Sequence, residues 1–246
     1  MTRWKASAIH LSISAVIGLS VLAAMVLVWY PSPYFQAVGG LKLAAILVSV
    51  DVVLGPLITL IIFDREKKSL KFDLSCIALL QLAALIYGVH VVYAARPVYV
   101  VFAIDRFDVV TANQIDPLEQ QKAIRPEFKS LPITGPQMVV VEKPRDPQEQ
   151  NRLFDAMLAG YDLPQFPQYY VPYEERKDAV LAKAKPIWEL ARIKPEANES
   201  ARRVQDRFAA RNLVYLPLHT KSEIFTAILD ESSAEIVDVL PVDPWE

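Results

Sequence analysis

The sequence predicts a membrane protein with three N-terminal transmembrane α-helices, followed by a soluble α+β domain with a mainly antiparallel sheet. Three observations carry this reading. First, polarity is unevenly distributed. Mean hydropathy over the 246 residues is +0.23, yet residues 1–95 hold only seven of the 26 Lys and Arg and four of the 28 Asp and Glu. Second, residues 1–95 contain three apolar runs of about 20 residues or more, the length a helix needs to cross a ~30 Å hydrocarbon layer. Third, from Pro97 onward short β-branched and aromatic runs alternate with charged amphipathic stretches, the pattern of a folded mixed domain. The chain therefore divides into a membrane region, 1–95, and a soluble domain, 96–246.

The first span covers residues 7–30. It follows a short basic start, Arg3 and Lys5 around Trp4, and ends in Trp29-Tyr30-Pro31, an aromatic anchor and a breaker. A cleavable signal has a shorter apolar core of about 7–15 residues, so this span is expected to remain. His10 lies one turn inside, where it is expected to snorkel or cap. The second span, 43–63, reads LAAILVSVDVVLGPLITLIIF. It places a carboxylate, Asp51, near its middle and Gly55-Pro56 one turn later. Proline has no N–H and its ring collides with the carbonyl four residues back, here Val52. A kink with a freed carbonyl beside Asp51 is expected. A charge at this depth costs roughly 2.5–3.5 kcal/mol on insertion scales, so it should face a partner rather than lipid. That partner is either internal (Ser49, Thr59, Tyr87 or His90) or another membrane helix, an ion or a proton. The third span, 74–95, carries Cys76, Gln81, Tyr87 and His90 and stops at Arg96-Pro97.

Positive charge sets the orientation. The basic N-terminus and the loop DREKKSLKFD, 64–73, mark one side, whereas the 31–42 loop holds only Lys42. Basic loops stay cytoplasmic. Three spans then place residues 96–246 outside, which in a Gram-negative inner membrane is the periplasm.

In the domain, strands are expected at 97–103, 106–111, 137–143 and 213–219. A closing hairpin is expected from Ser222–Leu229 and Ala234–Leu240. Pro217 within 213–219 suggests an edge position or a bulge. Helices are expected at 112–122, with Asn113 as a cap, at 174–184 and at 196–212. Asp146-Pro147, an N-cap followed by Pro at N1, opens a further helix to about Leu158, and Gly160 stops it. The helices are expected on one face of the sheet. YDLPQFPQYYVPY, 161–173, is a Pro and aromatic loop. It either packs over the domain's own core or offers Phe166, Tyr169 and Tyr170 to a partner, since aromatics dominate interface hot spots.

Several functions are disfavoured. The domain carries 19 basic and 24 acidic residues, a net of −5, which is the wrong sign for nucleic-acid binding. One cysteine and three scattered histidines leave no zinc spacing. No P-loop, GxGxxG or GxSxG appears. No catalytic residue, metal or cofactor is expected, and no enzyme.

Five segments carry a family resemblance: MTRWKASAIHLSIS, VWYPSPYFQAVGG, DVVLGPLITLIIF, LKFDL and RPVYVVFAIDRFDVVTANQI. They resemble type IV pilin accessory proteins of the TfpX/TfpZ type, specifically over about residues 1–115 and more loosely to the closing LDESSAEIVDVLP. At that hairpin Ser232-Ser233-Ala234 stands in place of a Thr-Gly-Glu-like turn. The resemblance implies an inner-membrane, chaperone-like protein that assists a type IV major pilin in stability, assembly or surface display, with no known catalysis. Asp51, Ser49, Gly55 and Pro56, with the small Ala44 and Ala45, are then expected to form one docking face for the pilin helix. Small residues allow such close approach. The alternatives are a scaffold subunit that contacts inner-membrane pilus assembly proteins, or a membrane-anchored sensor of a periplasmic ligand. The latter lacks any cytoplasmic output segment beyond a ten-residue loop.

Overall fold

A computed structural model describes residues 2–245, leaving aside the side chains of residues 191 and 196. It divides into two units, Met1–Arg96 and Pro97–Glu246.

Among the described residues of the first unit three helices are long and apolar enough to cross a membrane: Arg3–Trp29, Gly40–Ile62 and Leu70–Ala94. Each begins three to four residues before the apolar run that predicts it, because helix geometry carries on through the flanking polar turn. In the third span this takes in Lys71 and Asp73, and Asp73 pairs with Lys67 at 2.6 Å. The core of this unit gathers Met25, Tyr30, Ala44, Leu47 and Val92. Within it the Tyr30 hydroxyl donates to the Val92 carbonyl at 2.6 Å, so a phenol at the end of the first span is satisfied by the third. His10 does not snorkel. Its Nδ1 lies 2.7 Å from the Thr59 hydroxyl, which ties the first span to the second.

The second unit is built on one mixed sheet. Its strands are β1 (Pro97–Ala103), β2 (Arg106–Thr111), β3 (Gln137–Val141), β4 (Tyr170–Pro172), β5 (Lys185–Pro186), β6 (Leu213–His219), β7 (Ile224–Asp230) and β8 (Ile236–Leu240). The order is β4-β3-β1-β2-β6-β7-β8, with β5 beside β6. The β1–β3 and β2–β6 pairs are parallel; the remaining pairs are antiparallel.

Register assigns the two faces. Val101 faces Asp108 and Val139, Asp108 faces His219, and Tyr215 faces Ile228. One face therefore carries both helix-covered clusters. The first surrounds Tyr99, Phe128, Leu153 and Tyr170; the second surrounds Leu190, Val204, Tyr215 and Ile228. The opposite face carries Phe102, Phe107, Leu216, Leu218 and Leu229, all buried. The sheet coils to enclose it. Tyr173, just past edge strand β4, donates to the carbonyl of Ala234, just before the other edge strand β8, at 2.6 Å. Phe107 packs against both Phe102 and Tyr173.

Three local expectations are corrected. Pro217 is not on an edge: β6 is central. One side of β6 pairs with β5 at residues 214–215 and with β2 at 218–219, and Pro217 falls in the gap between the two ladders, where no N–H is needed. Asn113 is not a helix cap. Ala112–Gln114 is a 3₁₀ turn in which the Gln114 side-chain Oε1 accepts from the Thr111 N–H at 2.8 Å. The α-helix starts only at Pro117, behind the N-cap Asp116. The charged helices are shorter than their sequence pattern, Lys177–Leu181 and Asn198–Arg207. By contrast Asp146 caps Pro147–Leu158 as expected, and Gly160 takes a left-handed φ of 93° just past its end.

Candidate functional site

Gly55-Pro56 determines the shape of the second span. The α-helix Gly40–Val48 gives way to a π-helical turn, Ser49–Leu54, before α-helix resumes at Gly55. Such one-turn bulges recur at functional sites. The bulge also moves the released carbonyl. In an i→i−5 register the acceptor left without a donor by Pro56 is that of Asp51, not Val52. The Gln81 amide of the third span donates to this Asp51 carbonyl at 3.4 Å. Gly55 makes room for it, since a Cβ there would lie 1.8 Å from Gln81 Nε2. The neighbouring Pro56 carbonyl accepts from the Ser7 hydroxyl at 2.9 Å.

The Asp51 side chain is treated differently from its backbone. It is 6% exposed, and its Oδ1 is fully enclosed with no hydrogen-bond partner among the described residues. The four internal partners expected from sequence are engaged or displaced. Ser49 donates to its own helix at Ala45, Thr59 is held by His10, and Tyr87 and His90 are exposed. Two clefts meet at Asp51. One, about 330 Å³, lies between the second and third spans and includes Leu47, Val50, Tyr87 and Gly88. The other, about 220 Å³, includes His10, Ser14, Gln81 and Leu82.

The single docking face expected from sequence is thus divided. Asp51, Gly55, Pro56 and Ala44 are buried inside the bundle, whereas Ser49 and Ala45 are on the outside. Ser49 tolerates that position because its hydroxyl is satisfied within its own helix.

Of the two readings of the aromatic loop, the burial of its rings fits packing over the domain's own core. Phe166 and Tyr170 are 4% and 3% exposed. The Tyr170 ring packs edge-on against Tyr99 at 5.0 Å and Phe128 at 5.7 Å, and its hydroxyl donates to the Pro164 carbonyl. Phe166, Tyr170 and Tyr173 turn inward, whereas Tyr161 stays exposed. Tyr169 is half-buried and donates to Glu149. Burial, with that carboxylate beside it, pushes its hydroxyl up to about 12.

A further polar cluster is not singled out by the sequence pattern. Arg106 bridges Asp108 at 3.2 Å and Asp162 at 3.3 Å, and His219 Nδ1 lies 3.9 Å from Asp108. Burial raises the Asp108 carboxyl to about 6 against the pull of Arg106, and burial lowers the His219 imidazole. The available signal was Asp108 at an inward position of the alternating RFDVVT. This cluster can store a proton. No group of three or more His, Cys, Asp or Glu that could hold a metal is found among the described residues.

Comparison with known proteins gives the family. Residues 1–39 match the model described as Fimbrial assembly protein FimB. The chain is 28% identical over 247 residues to the fimbrial assembly protein of serogroup E1 from Dichelobacter nodosus, covering 98% of this chain and 96% of that one. It is 29% identical over 248 residues to the serogroup I protein of the same organism, with the same coverage. With the fimbrial assembly protein of serogroups C1 and C2 it shares 37% identity over 113 residues, 45% of this chain and 86% of that one. No solved structure matches it. On the three helices fit to span a membrane, the sheet domain behind them and these likenesses, the chain belongs to the fimbrial assembly protein family.

Proposed function

We propose that this chain is a non-enzymatic accessory protein of type IV pilus assembly. It sits in the inner membrane of a Gram-negative cell, with its N-terminus in the cytoplasm and residues 96–246 in the periplasm. It helps a major pilin to remain stable, to assemble or to reach the surface. The names of its relatives support the assembly role, and the basic 64–73 loop supports the orientation.

The observation that carries the reading is Asp51: a carboxyl enclosed in a membrane helix, unpaired, at the junction of two clefts. Intramembrane ionisable groups are costly and tend to mark function. A chaperone-like protein that engages another membrane helix has a use for one. The sides of the three spans are largely open, leaving apolar surface for a neighbour in the bilayer.

The test is deletion of the gene in its native strain, with surface pili counted by electron microscopy and pilin lifetime followed by pulse-chase. The expected result is at least a tenfold loss of surface pili, a shortened pilin lifetime, and restoration of both by the full chain. Unchanged pili and unchanged pilin lifetime would overturn the proposal. Loss of pili with pilin lifetime intact would retain the assembly role and remove the chaperone-like part.

A further inference from the structure

We infer that the cleft between the first and third spans receives one membrane-spanning helix of a partner protein, and that this helix brings a hydrogen-bond donor side chain, neutral or cationic, to the Asp51 carboxylate at mid-bilayer depth. The inference rests on the assembly reading, which supplies a membrane-embedded partner.

The Ser14 hydroxyl lines the cleft without bonding the enclosed Asp51 oxygen, and two further polar groups there are committed elsewhere: His10 Nδ1 to Thr59 and the Gln81 amide to the Asp51 backbone. Neither supplies the side-chain oxygen, which stays unpartnered while Asp51 is more than nine-tenths buried. A buried polar atom in hydrocarbon needs a donor. The remaining lining includes Ile13, Ile17, Ala78, Leu82 and Leu85, so a lipid tail would fill the space without supplying that donor. A free hard cation is a poor fit, because such ions take about six or more oxygen ligands and Asp51 is the one acidic residue of this lining. The cleft, about 220 Å³, is far larger than the roughly 30 Å³ share of one water. An apolar helix with one donor side chain satisfies both features: apolar walls and a single acceptor at the back.

The experiment uses the full chain in native membranes. A photoreactive residue is placed at Ile13 or Leu82, on the cleft, and at Leu19 or Leu79 as outward-facing controls. The four positions are 55%, 54%, 65% and 69% exposed, respectively. Each is combined with wild-type Asp51, Asp51→Asn or Asp51→Leu, at matched membrane levels. The expected result is one partner captured from Ile13 and Leu82 but not from the controls. Its adduct should fall at least tenfold in Asp51→Leu and less than threefold in Asp51→Asn, whose amide oxygen still accepts. Replacing the partner's donor at the crosslinked depth by Leu should give the same loss. Equal adducts in Asp51→Leu, equal capture from all four positions, no adduct, or a partner without a polar donor at that depth would each overturn the inference. An Asp51-dependent adduct with a protein other than pilin would keep the inference and remove pilin as the occupant. Loss of pili on deletion without an Asp51-dependent adduct would keep the assembly reading and remove the inference.

Discussion

Each unit contains a stretch at odds with its surroundings, and the two are resolved in different ways. In the membrane unit it is a carboxylate within an apolar helix; in the sheet domain it is a run of aromatic residues in a loop. Both turn inward. Tyr170 is buried among Tyr99 and Phe128 with its hydroxyl satisfied by Pro164. Asp51 is buried with an oxygen that no group among the described residues satisfies. A residue can therefore be out of character because packing needs it or because something absent needs it. Hydrogen-bond satisfaction separates the two cases, since buried polar groups are nearly always paired.

The largest effect that sharpens this contrast belongs to the satisfied residue. Tyr170→Ala removes a ring from a packed core and should cost about 4 kcal/mol, seen as early thermal unfolding and rapid proteolysis of the domain in the full-length protein. Tyr170→Phe should cost only about 1 kcal/mol, the net worth of one hydrogen bond.

The domain's own enclosed carboxyl offers the next test. Asp108 titrates near 6 when folded, against an ordinary value of 3.8. A raised folded value favours the protonated form, so its contribution is complete below pH 3.8 and is lost as pH rises through 6. The loss is about 2.4 kcal/mol between pH 4 and 7. His219 opposes this: its lowered value takes stability away as pH falls below 6.5. The pH dependence of thermal unfolding, wild type minus Asp108→Asn, isolates the first contribution. A flat difference would remove Asp108 as a proton store.

For Asp51 the sign reverses. Asp51→Leu replaces an unsatisfied acceptor with hydrocarbon and should leave the bundle unchanged or more stable by about 1–3 kcal/mol, measured by unfolding in detergent. A clear destabilisation would mean that Asp51 is a structural partner like Tyr170. The smallest effect concerns its neighbour. Gly55→Ala should swing Gln81 away and forfeit its bond to the Asp51 carbonyl, about 1 kcal/mol, with no further loss when Gln81→Ala is added.

Much of this was legible in the sequence because periodicity and composition suffice for it. The three spans, β1, β2, the closing hairpin and the Asp146 cap all follow from local pattern. So did Asp51, as a charge in an apolar run. What local pattern does not contain is direction. Nothing in LVSVDVVLGP states that a π-turn will rotate Asp51 and Gly55 inward while leaving Ser49 outside. Nothing in YDLPQFPQYYVPY states which rings face Tyr99. The gap that accommodates Pro217 and the Tyr173–Ala234 closure depend on strand order, which arises from residues more than 60 positions apart.

The deciding measurement is a count of surface pili in strains carrying Asp51→Leu or Tyr169→Ala, each matched to wild-type membrane levels. The account predicts that Asp51→Leu loses most of its pili while its protein stays folded, and that Tyr169→Ala keeps them. Normal pili in Asp51→Leu, with loss in Tyr169→Ala, would contradict it and return recognition to the aromatic loop.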